Sequence, residues 1–523
     1  SAFDIWTLAL TTSIGGHYLT WNDGLSAGFG SYIIATFLVA SAFVCLILCI
    51  AELSSALPFA GGAYGIARVT LGIYPGFLVA CFDSYKSIVS VAAAAISFGQ
   101  MLTIIIGNNQ TIEPVYWLTF YCILLAFHLY AGKTRWRVMV ALAMTSLVLL
   151  VIYLLGSAQS VNLPKYAPLN DASHHSERDR WFRDGMTGFM HILPLPCWFY
   201  VGIQSINLAS GEMVSPKTEV PKAYIASLCT TLLTSFSILL TACALYPGTS
   251  ALRHRLFPLT RGYMIMFGIP RHLATIVSIP AMLASGFGFM YFFGQQLRAM
   301  GQSGLLHPVF AWELPGRRTP AGALLIGSLL GYALCVLVQF EAGVRTKLYN
   351  ISMMGALATY LSIFVSFWQF RTHFPTIKRE FVSPLGRAGA VWGFLVFLLA
   401  FISLCGFQQS HTALGVFLSI TILASVYYYL VVQKREVFSE EEKVVMFKAY
   451  LIKGNASKAK RIKRGGLSRT SQSLTNERRL AAAAEANNNN AAALELTVRE
   501  SVGVGGRRTS SRTAASPRST ATH

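Results

Sequence analysis

Runs of about twenty predominantly apolar residues recur along this chain, and a helix of that length spans the ~30 Å hydrocarbon core of a bilayer. They fall at 4–25, 30–56, 74–104, 114–131, 136–158, 186–211, 222–246, 273–300, 320–340, 347–370, 388–406 and 411–433. Backbone in hydrocarbon must satisfy its own hydrogen bonds, which leaves helices or closed barrels; uninterrupted runs of this length fit helices. The chain therefore reads as an all-α polytopic membrane protein of about 12 transmembrane helices. Turn and charge signals separate the runs, among them Pro58, Gly61-Gly62, Lys133 to Arg137, Pro216 to Pro221, Arg317-Arg318 and Pro375 to Arg387.

Only 12% of residues are charged, about half the ~25% usual in soluble domains. The net charge of +20 invites a nucleic-acid reading, but its distribution excludes one: 18 of the 42 Lys and Arg follow Gln433, Lys86 alone lies deep within a run, and the rest sit in loops. By the positive-inside rule the loops holding Arg68, Lys133, Arg135, Arg137, Lys217, Lys222, Arg298, Arg317, Arg318, Arg371, Lys378, Arg379 and Arg387 face the cytoplasm. Both termini then fall inside. Residues 1–433 form the expected membrane domain, and 434–523 a basic, low-complexity tail. That tail is either solvated without a specific partner or lies on anionic lipid, tuned by phosphorylation at serines such as Ser468 and Ser510. All nine cysteines fall inside apolar runs with no metal-ligand or redox spacing, which suits reduced packing residues. The chain opens on Ser1 rather than Met, so an upstream targeting segment is expected to be missing.

Two spans carry residues that can interrupt a helix. The first reads Thr11-Thr12-Ser13-Ile14-Gly15-Gly16-His17-Tyr18, and the sixth reads Leu193-Pro194-Leu195-Pro196-Cys197-Trp198-Phe199-Tyr200-Val201-Gly202. Prolines remove backbone donors and glycine relaxes the chain, so both spans are expected to break. A break exposes N–H and C=O groups that meet anionic and cationic groups of a solute. If 4–158 and 186–370 are two repeats, followed by helices 11 and 12 at 388–433, the breaks fall at equivalent positions, as in inverted-repeat transporters. Taken singly, a glycine pair also serves helix packing and a proline pair also makes a simple kink.

Ala51-Glu52-Leu53-Ser54-Ser55-Ala56-Leu57-Pro58, followed by Gly61-Gly62-Ala63-Tyr64, resembles the second-helix signature of the amino acid–polyamine–organocation superfamily. Ile14 to Tyr18 with Trp21-Asn22 is similar to the first helix of ethanolamine permeases. Gly211-Glu212 through Pro216-Lys217 to Pro221-Lys222-Ala223 resembles the family's loop after helix six. The resemblance implies a leucine-transporter-type fold of five-plus-five inverted repeats, with the solute between helices 1, 3, 6, 8 and 10. It implies an amino acid or small amine as solute. By position, the binding residues are Ser13, Ile14, Gly15, Gly16 and His17 on helix one and Trp198, Phe199, Tyr200, Val201 and Gly202 on helix six. Backbone at Ile14 to Gly16 would meet a carboxylate or hydroxyl, while Trp198 and the carbonyls of Phe199 and Tyr200 would face an ammonium. Gln204 stands where many relatives carry glutamate, Lys86 where ethanolamine permeases tend to be acidic, and 136–158 holds no Lys beyond Arg137.

Asp83 and Lys86, three residues apart, share a helical face within a span. Intramembrane charges are functional hypotheses by default, so Asp83, Lys86, Gln204 and His17 are the gating or coupling candidates. A mutually neutralising structural pair, and a histidine simply bonded within a packed helix, are the alternative readings. Glu52 and Glu212, at helix ends, read as capping or loop-anchoring residues. No nucleophile elbow, phosphate loop or metal-ligand motif occurs, so neither enzyme chemistry nor a cofactor is expected. The coupling ion would be H+, or Na+ held by carbonyls near Thr11 to Ile14 and hydroxyls such as Ser285. The expected function is secondary active transport by alternating access in the plasma membrane, with membrane lipid as surroundings. A nutrient sensor or a channel on the same fold is the alternative.

Overall fold

A computed structural model describes residues 1–435 apart from Thr20, 58–60, Ala131, 170–176, 316–318, 341–342, Thr376 and 409–410. Pro58, Arg317, Arg318 and the tail beyond Arg435 lie outside the described residues. All described residues belong to one unit spanning 1–452.

The long helices are α1 (Ala2–Tyr18), α2 (Phe29–Ala56), α3 (Ile73–Ile106), α4 (Glu113–Tyr130) and α5 (Lys133–Ser157). After a bent sixth segment come α6 (Pro216–Cys243), α7 (Ile279–Gln302), α8 (Ala321–Phe340), α9 (Val344–His373), α10 (Gly386–Gly406) and α11 (His411–Leu430). Among the described residues ten helices are long and apolar enough to cross a membrane, and the bent pair makes an eleventh. A count of twelve also needs α1, whose 17 residues sit at the lower limit of about 17 for a span.

The interruption expected in the first span does not fall at its glycines: α1 is continuous through Ser13, Gly15 and Gly16 to Tyr18. Thr11, Thr12 and Ser13 donate their hydroxyls to Leu8, Ala9 and Ala9 carbonyls at 2.6, 2.8 and 3.1 Å, which satisfies them without unwinding the helix. The glycines serve close approach instead. A methyl on Gly16 would collide with the Trp198 carbonyl, and one on Gly15 would stand 2.6 Å from Ser285 Oγ. Beyond Tyr18 the chain turns into a short 3-10 segment, Trp21–Ala27, so the region expected as span to residue 25 ends seven residues earlier.

The sixth segment does break. Gly185–Ile192 is α-helical, whereas Leu195–Phe199 and Ile203–Glu212 are 3-10. The two parts meet at 57°. Pro194 and Pro196 withhold the donors an α-helix would need there, and Gly202 takes φ 103°, which suits glycine alone.

α3 lies centrally, packed against α7 and α9, while α1 packs against α7, α6 and α5. The most apolar stretch of α9 is 72% buried and that of α11 only 17%, which puts α9 inside the bundle and α11 on its rim. Exposed Leu155, Leu233, Leu329 and Leu423 face outward, as hydrocarbon requires. Cys122 and Cys229 share those faces, and all nine cysteines are unpaired. α9 has 30 residues and so is about 45 Å long, which sets its ends on opposite faces of the bundle.

Candidate functional site

One face is closed by two carboxylates, one buried and one partly exposed. Glu52, fully buried at the end of α2, accepts Arg371 Nε and Nη2 at 3.0 and 2.6 Å, Arg379 Nη1 at 2.9 Å and the Ser383 backbone N–H at 2.8 Å. The end of α9 and the loop before α10 are thereby tied to α2. Glu212, at the end of the sixth segment, accepts Arg135 Nη2 on both oxygens at 2.8 Å, Trp136 Nε1 at 2.9 Å, Tyr291 Oη at 3.0 Å and Gln295 Nε2 at 3.2 Å. That links the sixth segment to α5 and α7. Both residues thus anchor loops and helix ends, each through four or more donors.

The opposite face holds a vestibule of about 1350 Å³. Its floor is made by Leu19, Trp198 and Tyr349, which also roof a smaller cavity of about 50 Å³. The Trp198 and Tyr349 rings meet edge-on with centroids 5.7 Å apart. The small cavity is lined by Thr12, Gly15 and Gly16 of α1, Ser90, Ala93 and Ala94 of α3, Trp198 and Val201 of the sixth segment, Ser285 and Phe289 of α7, and Tyr349 of α9. Those elements are the first, third, sixth, eighth and tenth spans of the sequence.

Of the ten residues singled out for binding, Gly15, Gly16, Trp198 and Val201 line this cavity. The others point elsewhere. Ser13 bonds back along α1, and Ile14 is buried in the core. His17 receives its two ring contacts from Ser13 O at 3.0 Å and Thr234 Oγ1 at 2.9 Å. Nδ1–H therefore donates to the carbonyl and Nε2 accepts the Thr234 hydroxyl, facing α6. Phe199 packs on His17 and Trp21. Tyr200 packs on Phe43 and shares a 2.8 Å hydrogen bond with Ser235. Gly202 forms the turn, its N–H donating to Gln204 Oε1 at 3.1 Å.

Three of the four gating candidates, Asp83, Lys86 and Gln204, gather one turn below the cavity, and His17 does not join them. Lys86 Nζ is bonded to Asp83 Oδ1, both side chains 1% exposed. Ser205 Oγ lies 3.4 Å from Lys86 Nζ and 3.3 Å from Asp83 Oδ2, and accepts Gln204 Nε2 at 3.0 Å. Tyr224 Oη donates to the Gln204 carbonyl at 2.9 Å. Ser90, on the cavity wall, bonds back to the Lys86 carbonyl at 2.9 Å, which connects cluster and cavity along α3. Reading the sequence did not single out Ser90, Ser205, Phe289 or Tyr349. The spacing of Ser90 four residues beyond Lys86 was the available signal; Ser205 and Tyr349 have none without the fold.

A bilayer-crossing helical bundle with a small cavity at the foot of an open vestibule defines an integral, multi-pass membrane transporter. Comparison with known sequences gives the particular lineage. The chain belongs to the amino acid permease family of the amino acid–polyamine–organocation superfamily, whose profile matches residues 2–429. It is 24% identical over 414 residues to the methylthioribose transporter of Bacillus subtilis, covering 73% of this chain and 83% of that one. It is also 24% identical over 443 residues to the amino-acid permease RocC of the same organism, covering 81% and 90%.

Proposed function

We propose that this protein is a secondary active transporter that moves amino acids or small organic amines by alternating access in the plasma membrane, with both termini cytoplasmic. The observation that carries this is the stacking of a small cavity under a vestibule open to one face, while carboxylate–arginine ties hold the other face shut. A carrier needs such asymmetry, because its site opens to one side at a time. At about 50 Å³ the cavity has room for only a few waters, so Trp198, Leu19 and Tyr349 must part to admit a solute. Backbone at Gly15 and Gly16, the Trp198 ring and the Ser90 and Ser285 hydroxyls are the groups that would meet it. Repeats 4–158 and 186–370 would rock about this site. Asp83, Lys86, Ser205 and Gln204 join α3 to the bent segment and form the coupling element of this reading, with H+ or Na+ as driving ion. The substrates for which the relatives are named, methylthioribose and amino acids, are compatible with a small polar solute. Counterflow in proteoliposomes tests the carrier: exchange of a labelled internal solute is expected, and saturable binding without exchange of any solute would instead make the chain a sensor.

A further inference from the structure

Among the described residues the vestibule wall carries Arg183, Arg253, Arg255 and Arg345 against Asp23 and Asp184. Among the described residues, the cavity beneath has no Asp, Glu, Lys, Arg or His in its lining. Charge is therefore sorted above the floor or by backbone alone.

Two of the arginines are built into the site rather than borne on loose loop ends. Asn22, 1% exposed, donates its side-chain amide to the carbonyls of Leu252 at 2.9 Å and Arg255 at 2.7 Å, which fixes the Arg255 backbone against the segment after α1. Arg345 sits in the first turn of α9, four residues before Tyr349 of the floor. Residues four apart on a helix are neighbours, so Arg345 lines the vestibule beside Tyr349 of the floor. Neither guanidinium is ion-paired with a described carboxylate, although Arg345 acts on the charge of Glu113 from a distance. By contrast Arg183 reaches Asp184 at 3.8 Å.

A concave, low-dielectric wall with an excess of one charge focuses the opposite charge and raises its local concentration and entry rate by roughly 10- to 1000-fold. We infer that the solute carries a net negative charge: an amino acid with a second carboxylate, or a comparable small carboxylate-bearing anion, drawn in by Arg255 and Arg345. A free amine meets the same wall as a barrier. This rests on the carrier reading and narrows its solute class.

The test uses full-length protein in proteoliposomes, with L-glutamate, L-aspartate, L-alanine, L-lysine and ethanolamine as probes. An acidic amino acid is expected to show the highest kcat/KM. In the Arg255→Gln/Arg345→Gln variant its KM should rise about 5- to 30-fold at low ionic strength with kcat retained, and the difference should shrink toward twofold at 0.5 M salt, where the Debye length falls to about 4 Å. L-alanine exchange serves as the control for folding and should change less than twofold. A zwitterion or amine with the highest kcat/KM, or an unchanged KM for the acidic amino acid in the variant, overturns the inference while leaving the carrier intact. Exchange of none of the probes, in protein that is monodisperse and melts cooperatively, overturns both.

Discussion

Glu52 and Arg371 form a two-pronged ion pair, Nε to Oε1 at 3.0 Å and Nη2 to Oε2 at 2.6 Å, across 319 positions of sequence. The carboxylate is fully buried and also holds Arg379 and the Ser383 N–H. Removing its charge strands two guanidiniums. Glu52→Gln is expected to cost about 3 kcal/mol, read as a lower melting temperature in detergent; an unchanged melt would show that the pair contributes nothing.

Glu212 is placed differently, at the end of the bent segment where α5 and α7 meet it. Hydrogen bonds to a charged group contribute about 1.5–3 kcal/mol each, so Glu212→Gln should loosen that face more than it destabilises the fold. A shift of about 1.4 kcal/mol changes a two-state ratio tenfold. Thiol labelling of Ser26→Cys in the vestibule, in a background without Cys122 and Cys229, should slow by about that factor. Equal labelling rates would remove Glu212 from the gate.

The Asp83–Lys86 pair allows structure to be separated from coupling. Lys86→Met alone leaves a buried carboxylate without its partner and should cost roughly 3–5 kcal/mol. Asp83→Asn/Lys86→Met removes both charges and should recover most of that stability. If the cluster couples transport, the double variant exchanges solute but no longer accumulates it against a gradient. Accumulation equal to wild type would make the pair purely structural.

Asp23 lies in the 3-10 segment after α1, outside the span. The protein around the vestibule pushes its carboxyl up to about 6 from 3.8. The folded-state value is the higher one, so folding favours the protonated form. The contribution of this group to stability is greatest below pH 3.8 and falls as the pH rises through 6. The same titration changes the vestibule: below about pH 6 Asp23 loses its charge and the arginine excess grows. The KM for an acidic amino acid should therefore drop two- to fivefold between pH 7 and 5.5. Asp23→Asn is the control, and persistence of the full drop in that variant would exclude Asp23 as its source.

Gly16→Ala tests the close approach of α1 to the bent segment. There is no space for a methyl beside the Trp198 carbonyl, and overpacking costs about 1–3 kcal/mol. Exchange should fall at least tenfold. Gly107→Ala, at φ 78° with open space around it, should lose stability without that loss of exchange.

The sequence by itself determined that the chain forms a bundle of bilayer-length helices, because span length and charge exclusion are properties of consecutive residues, although it carried the first span to residue 25 where the helix ends at Tyr18. It also determined the bend at Pro194 and Pro196, since a missing donor acts wherever the proline sits, and the family, through Glu52 to Tyr64 and the segments around Gly15 and Gly211. Tertiary structure decided the rest. Gly15 and Gly16 read in the sequence as a break, and the arrival of Trp198 and Ser285 made them a packing surface instead. His17 turned from the cavity because Thr234, 217 positions away, offered its hydroxyl on the other side. Arg345 and Arg371 look alike as loop charges; one end of α9 opens into a vestibule while the other meets a buried carboxylate. Which way a side chain faces depends on helices distant in sequence, and that no local pattern contains.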